Sequence, residues 1–155
     1  VPDYRVLTES EIVDFLKSDE FDSNQTVVLE KDPQVPHPGE KLPMIEAHIL
    51  LYSANKIICT TETSYSGFLV LADNWHPDWK VFVDGEQSEL YRANHTFRAV
   101  HLLPGEHEIV FAYISPYFNI GKIISIITLI LSISFCVIVL KPTHALEKAK
   151  NFSII

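Results

Sequence analysis

Eighteen consecutive residues near the C-terminal end, IISIITLILSISFCVIVL from Ile123 to Leu140, carry no charge. A run of this length is at the lower limit for a helix that crosses the hydrocarbon core of a bilayer. Ile120, Gly121 and Lys122 lengthen it, because a lysine at the edge of a span can extend its ammonium to the interface. A buried helix of a soluble core is the competing reading. Such a helix usually keeps a polar face, whereas this one offers only Ser, Thr and Cys. The position of the run excludes a signal peptide. A transmembrane helix is therefore expected at residues 119–141.

The rest of the chain is a different material. Of 155 residues, 20 are acidic and 12 basic, a formal charge of −8, yet the mean hydropathy is positive. Both properties follow from one partition. Residues 1–120 hold 8 basic and 19 acidic residues, a net of −11. Residues 121–155 hold 4 basic and 1 acidic, a net of +3. Lys141, Lys148 and Lys150 follow the span, so the positive-inside rule places the basic tail, 142–155, in the cytoplasm and residues 1–118 outside it. The acidic balance argues against nucleic acid as a partner, since no basic footprint exists to displace phosphate counterions.

Within the span, Gly121, Ser125, Thr128, Ser132 and Cys136 recur every three or four positions and form one face of small residues. Small faces let helices approach closely in lipid. A lone anchor has no use for one, so further transmembrane helices of the same full-length protein are expected as partners beside the lipid bilayer.

Ahead of the span the patterns change from helix to strand. Thr8 and Glu11 have capping-box spacing, and Ile12, Val13, Phe15 and Leu16 give an apolar helical face, predicting a helix over Glu9–Lys17. TVVLE, Thr26–Glu30, reads as a short strand. Lys31 to Pro43 holds four prolines and a glycine and reads as a linker. Strands follow at Met44–Tyr52, Lys56–Thr63, Gly67–Asp73, Trp79–Val83, Glu89–Arg92, Thr96–Leu103 and Glu108–Ile114. Asp84-Gly85 is a hairpin signal and Pro104-Gly105 a turn signal. The fold class expected is mainly β: an antiparallel β-sandwich, jelly-roll or immunoglobulin-like, with a short N-terminal helix and one C-terminal transmembrane α-helix. Its divisions are 1–43 (helix, strand and proline-rich linker), 44–118 (sandwich), 119–141 (span) and 142–155 (tail).

Chemistry-bearing motifs are few. Cys59 and Cys136 fall in a strand and in the span and do not pair. An outward-facing domain without disulfides suits a bacterial envelope. His76, His95, His101 and His107 match no ligand spacing, and neither a metal nor another cofactor is expected. No nucleophile elbow or phosphate loop occurs. Asp84 is accounted for by its turn, Asp73 and Asp78 by loop capping. Aromatic residues are the better candidates. Trp79, Phe97 and Phe111 read as core. Trp75, His76 and Tyr91 are the glycan-contact candidates, since Trp75 and His76 stand in a loop before Pro77.

Residues 67–116 resemble the C-terminal module of the YfhO family of multi-span bacterial membrane proteins. The likeness is carried by Leu69 to Asp73, Pro77 with Trp79-Lys80, Val83-Asp84-Gly85, Tyr91-Arg92-Ala93-Asn94, Phe97-Arg98, Pro104-Gly105-Glu106-His107 and Tyr113, and then by Pro116 and Gly121 opening a final span. The short helix, Phe21-Asp22 and TVVLE extend the resemblance upstream. Asp78 stands where the family more often has glycine. The resemblance implies a polytopic glycosyltransferase in the bacterial plasma membrane that uses lipid-linked sugars to decorate envelope polymers such as lipoteichoic acid. The catalytic acid implied lies near N-terminal spans that this chain does not contain, so no catalytic residue is assigned here. The chain is then expected to be a non-catalytic C-terminal part whose sandwich binds or orients a glycan acceptor or lipid-linked sugar. The alternatives are a structural or protein-interaction domain on a membrane anchor, and a single-pass surface protein.

Overall fold

The computed structural model describes residues 1–140, and the expected tail at 142–155 lies outside them. Val1–Ile114 and the segment from Ser115 onward form two compact units.

The first unit is two five-stranded sheets in a sandwich-like arrangement. One has the order β1 (Asp3–Val6), β2 (Thr26–Leu29), β8 (Tyr91–Ala93), β9 (Phe97–Leu102), β5 (Gly67–Leu71). The other runs β3 (His48–Tyr52), β4 (Lys56–Thr63), β10 (Gly105–Tyr113), β6 (Trp79–Val83), β7 (Glu86–Ser88). Pairing is antiparallel throughout, with one exception: β1 lies parallel to β2. That parallel pair is possible because α1 (Glu9–Leu16) supplies the crossover between them. The helix starts at the expected capping box, where the Glu11 carboxylate accepts the Thr8 backbone N–H at 3.0 Å. It buries Ile12 completely.

Period-two alternation decides which side chains go where. On β5 and β9, Phe68, Val70, Phe97 and Ala99 face a core with Tyr4, Val27, Leu29, Tyr91 and Ala93. The intervening Leu69, Leu71, Val100 and Leu102 face the opposite sheet, where they meet Ile57, Cys59, Val81, Ile109 and Phe111. The first sheet is thus apolar on both faces. On β10 the sequence leaves the inward face open, since both sets are apolar. The structure buries Ile109 and Phe111 and leaves Val110 and Ala112 half-covered.

Main-chain bonds link the two edges of the first sheet. Val1 N donates to the Phe68 carbonyl at 2.9 Å, and Phe68 N–H donates to the Val1 carbonyl at 2.8 Å. Gly67 permits this approach, because a Cβ there would stand 2.7 Å from the Val1 carbonyl oxygen. Two segments within the first 43 residues thus belong to this sheet: β1 and β2 extend what β5, β8 and β9 complete. The β6–β7 hairpin turns at Asp84-Gly85, with φ of 53° and 84°, the pair of left-handed residues that a tight hairpin turn requires.

β3 is an edge strand, and all five of its side chains are exposed. Its pairing with β4 is interrupted between Ile49 and Leu51. The extra residue, Leu50, is 62% exposed.

The second unit is one helix, α2, Pro116–Leu140. Proline opens it at a position where its missing N–H costs nothing. At 1.5 Å per residue its 25 residues extend about 37 Å, enough to cross a bilayer. Its span-forming side chains are exposed. The Thr128 hydroxyl donates to the Ile124 carbonyl at 2.9 Å, so it leaves no unsatisfied donor in an apolar surrounding.

Candidate functional site

One end of the sandwich carries an open pocket of about 370 Å³. It is the end at which β5 and β10 finish and β6 begins. The segment from Asp73 to Trp79 forms much of its wall, and Tyr52 to Ala54, Arg98 and Tyr113 complete it. That segment is a loop because Pro77 and the Asp/Asn residues disfavour continued pairing. It is pinned by main-chain bonds: Trp75 N–H to the Thr96 carbonyl at 2.7 Å, Trp79 N–H to the His76 carbonyl at 3.0 Å, and Ile114 N–H to the Asp78 carbonyl at 2.8 Å.

Arg98 is the most unusual side chain here. It lies on β9 at the same parity as Val100 and Leu102, which face the inter-sheet core. Its guanidinium is 1% exposed and is the only charged group among the buried side chains of the described residues. The carbon of that guanidinium sits 3.9 Å from the centroid of the Trp79 ring, a cation–π contact. Nη2 forms an ion pair with Asp73, and Nε donates to the Asp73 carbonyl at 3.5 Å. Burial pushes the Arg98 guanidinium down from its ordinary value, and the Asp73 charge and hydrogen bond pull the other way.

Around this pair stand aromatic groups with polar tips. The Tyr52 hydroxyl donates to Asp73 at 3.1 Å, and that bond with the adjacent charge holds the phenol above its usual range. The Tyr113 hydroxyl donates to Asp78 at 3.3 Å, and partial burial followed by the Asp78 charge raises it likewise. Tyr113 also meets the His76 ring at 5.6 Å and the Trp79 ring, edge to face, at 5.5 Å.

Three buried side-chain nitrogens among the described residues have no hydrogen-bond partner: Trp75 Nε1, His95 Nδ1 and Arg98 Nη1. Two of the three belong to residues that line this pocket. An unpaired buried donor costs about 1–3 kcal/mol.

Of the three candidates expected from the sequence, Trp75 and His76 are brought together here. Tyr91 is elsewhere. It is 8% exposed and lies in the other core beside Tyr4 and Phe68. The parity of β8 turns Tyr91 and Ala93 inward together. Its hydroxyl donates to Glu89 at 3.1 Å, and burial together with that carboxylate pushes it up to about 12. The histidines disperse as well. His101 bonds Ser66, His107 bonds Asp84, and His76 lines the pocket. Sequence reasoning missed Arg98, Tyr52 and Tyr113 as site residues. For Arg98 a signal existed: in FRAVHL a charged residue occupies an inward position of an otherwise apolar alternation.

A family model described as bacterial membrane protein YfhO matches residues 33–125, more than half of the chain. A protein of Bacillus subtilis described as uncharacterized protein YfhO is 23% identical over 90 residues, which are 58% of this chain and 10% of that protein. The chain thus spans about a tenth of the length of this relative. No solved structure matches.

Proposed function

Because the chain belongs to the family of bacterial membrane protein YfhO, we propose that it acts as the non-catalytic C-terminal part of a polytopic membrane protein whose sandwich holds a glycan for transfer chemistry done elsewhere. The larger protein would resemble glycosyltransferases that take sugar from a lipid carrier and add it to envelope polymers of the lipoteichoic acid type. No residue of this chain is assigned a catalytic role. The observation that carries the reading is the pocket itself. Trp75, His76, Tyr52, Trp79 and Tyr113 surround hydrogen-bonding groups in an open site, and aromatic walls with a few placed polar groups are the general make-up of a small-ligand pocket.

The arrangement proposed is residues 1–118 outside the cytoplasm, a span over 119–141 and a cytoplasmic tail over 142–155. Lys141, Lys148 and Lys150, close behind the span, support it. The small-residue face of α2 supports packing against other spans of the same protein. Labelling tests the topology: Ser23→Cys, at an exposed position, reacts with a membrane-impermeant maleimide on intact cells, and Ser153→Cys does so only after lysis. For the glycan reading, the whole chain in nanodiscs is applied to an array of envelope glycans. Binding that Trp75→Ala removes supports it, and absence of binding to every glycan refutes it.

A second reading has its own observation. The edge strand β3 exposes Ile49, Leu50, Leu51 and Tyr52. Such an edge suits docking against another protein segment, as a structural or interaction domain would require. Substituting Leu50→Lys then lowers recovery of the full-length protein from membranes without touching glycan binding.

A further inference from the structure

Resting on the span proposed above, and not on which side of the membrane the sandwich occupies, we infer that the sandwich docks on the bilayer surface by the end that carries Tyr52, His76 and Tyr113, with Lys56 and Lys80 meeting the phosphates of lipid headgroups. Chain length sets the first constraint. Ser115 alone stands between Ile114, the last residue of the first unit, and Pro116, the first of α2. Two Cα steps of about 3.8 Å bound that gap at about 8 Å, whatever angle the two units adopt. A bilayer has a hydrocarbon core of about 30 Å and measures about 40–45 Å with its interfacial layers. At about 37 Å, α2 is longer than the core, and with Ile123–Leu140 inside it the first turn stands among the headgroups. The Ile114 N–H bonds the Asp78 carbonyl, so the loop from Asp73 to Trp79 belongs to this same end.

The side chains here suit such a layer. Tyr52 and Tyr113 are exposed rings with polar tips, and His76 is exposed beside them. Amphipathic rings of this kind collect at membrane–water interfaces. Lys56 on β4 and Lys80 on β6 both stand opposite Ala112 of β10, on the face away from buried Phe111. Neither pairs with a carboxylate among the described residues. The Lys80 ammonium reaches the Pro77 carbonyl at 3.1 Å, which aims it at the loop. Of the carboxylates close by, Asp73 is matched by Arg98, and Asp78 accepts from the Tyr113 hydroxyl.

The far end of the same face has the opposite sign. Glu62 stands directly across from Glu106. Glu46 and Glu108 join them around a hollow of about 660 Å³ that no lysine or arginine lines. Six residues of β10 separate the Glu106 level from the Ala112 level, which is about 20 Å of strand. That distance is more than twice the Debye length of about 8 Å at physiological salt. An anionic surface that touches the lysine end therefore attracts it and barely repels the glutamates. Any other presentation of this sheet brings the glutamates closer. The order of charge along β10 thus decides which end goes down.

The test uses the whole chain reconstituted in vesicles of phosphatidylcholine, with and without phosphatidylglycerol, that contain a lipid carrying a nitroxide on its headgroup. Both tryptophans lie at the docking end, so their quenching reports its approach. The far end is read from a fluorophore on Glu106→Cys in a Cys136→Ser background, Cys59 being buried. The expected result is tryptophan quenching well above that of the far probe, and stronger with phosphatidylglycerol than without. Lys56→Gln with Lys80→Gln is expected to remove the gain from phosphatidylglycerol, since one lysine near an anionic surface contributes about fivefold. Both side chains lie on the outer face, so the variant keeps its core. Tryptophans quenched no more than the far probe overturn the docking. Quenching indifferent both to phosphatidylglycerol and to the lysine variant overturns the part given to the lysines. Carbonate extraction reads the span separately: a chain washed from the vesicles refutes the span itself, whereas a retained chain with unquenched tryptophans refutes the docking alone.

Discussion

Removing Asp73 is the sharpest test of how the sandwich end is held together. Asp73→Ala leaves the Arg98 guanidinium, 1% exposed, without its counter-charge. Breaking a fully buried pair by deleting one partner costs about 3–5 kcal/mol. Asp73 is 33% exposed on its side chain, so water replaces part of what the carboxylate supplied. The expected cost is therefore about 2–3 kcal/mol, below the fully buried range. Arg98→Met is the informative comparison. It removes the cation and its stacking on Trp79, a contact of about 0.5–2 kcal/mol, but leaves Asp73 able to hydrate. Its expected cost is about 1 kcal/mol. The double variant should then be more stable than Asp73→Ala alone, because methionine takes away the charge that alanine stranded. The assay is urea unfolding of the whole chain in micelles, read by tryptophan fluorescence. The chain has only two tryptophans, and both line this pocket. With a denaturant slope of about 1–3 kcal/mol/M, the loss moves the midpoint by roughly 0.7–3 M. Asp73→Ala within 0.5 kcal/mol of the parent, or a double variant as unstable as the two single losses added, refutes the reasoning.

The remaining predictions are brief. Phe111, fully buried between the sheets, should cost about 3–5 kcal/mol on replacement by alanine, seen as an earlier midpoint in the same unfolding assay. Gly67→Ala should destabilise by about 1–3 kcal/mol, because its Cβ meets the Val1 carbonyl oxygen, which is backbone and has little room to yield; an unchanged midpoint refutes the close approach. His107 has both ring nitrogens on acceptors, Nδ1 to Asp84 at 2.6 Å and Nε2 to the Leu103 carbonyl at 2.9 Å, so the imidazolium satisfies both. Its hydrogen bond to Asp84 raises its pKa above 6.5. That contribution is whole below the unfolded value and disappears as pH climbs through the raised one. The stability difference between parent and His107→Gln should therefore shrink between pH 6 and pH 8, and a constant difference sinks the assignment. Leu131→Arg, in the middle of α2, should raise the apparent cost of membrane insertion by about 2.5–3.5 kcal/mol, measured as the inserted fraction in a translocation assay.

Most strands were legible because their signals are local. Trp79–Val83 followed by Asp84-Gly85 announces a hairpin, and the hairpin is there with both turn residues left-handed. Lys56–Thr63 was bounded to the residue. The failures are non-local. Asp3–Val6 is four residues with one buried side chain, too short to declare a period, and it becomes a strand only because Thr26–Leu29 lies alongside it. The same distance effect hid that β1 and β2 join the sheet of β5, β8 and β9. Prolines between Lys31 and Pro43 mark a loop correctly, but a loop does not have to separate domains. Tyr91 failed as a surface candidate for want of parity: YRA is short, and only its pairing with β9 fixes which face is inward. Arg98 shows the converse. Its anomaly was visible in FRAVHL, but its meaning depended on Asp73, Trp75 and Trp79 arriving from other parts of the chain.

The place of β10 has a mechanical consequence. The strand that leads into the membrane helix is not at the margin of its sheet. It lies between β4, with eight register pairs, and β6, with five. Tension entering through Ser115 is therefore borne by two ladders at once, and β10 cannot be peeled away as an edge strand would be. A bilayer that fluctuates in height and tilt tugs continually on whatever it anchors. Here the tether is riveted into the middle of the sheet, so the first thing to yield under load should be the short stretch after Tyr113 and not the walls of the pocket.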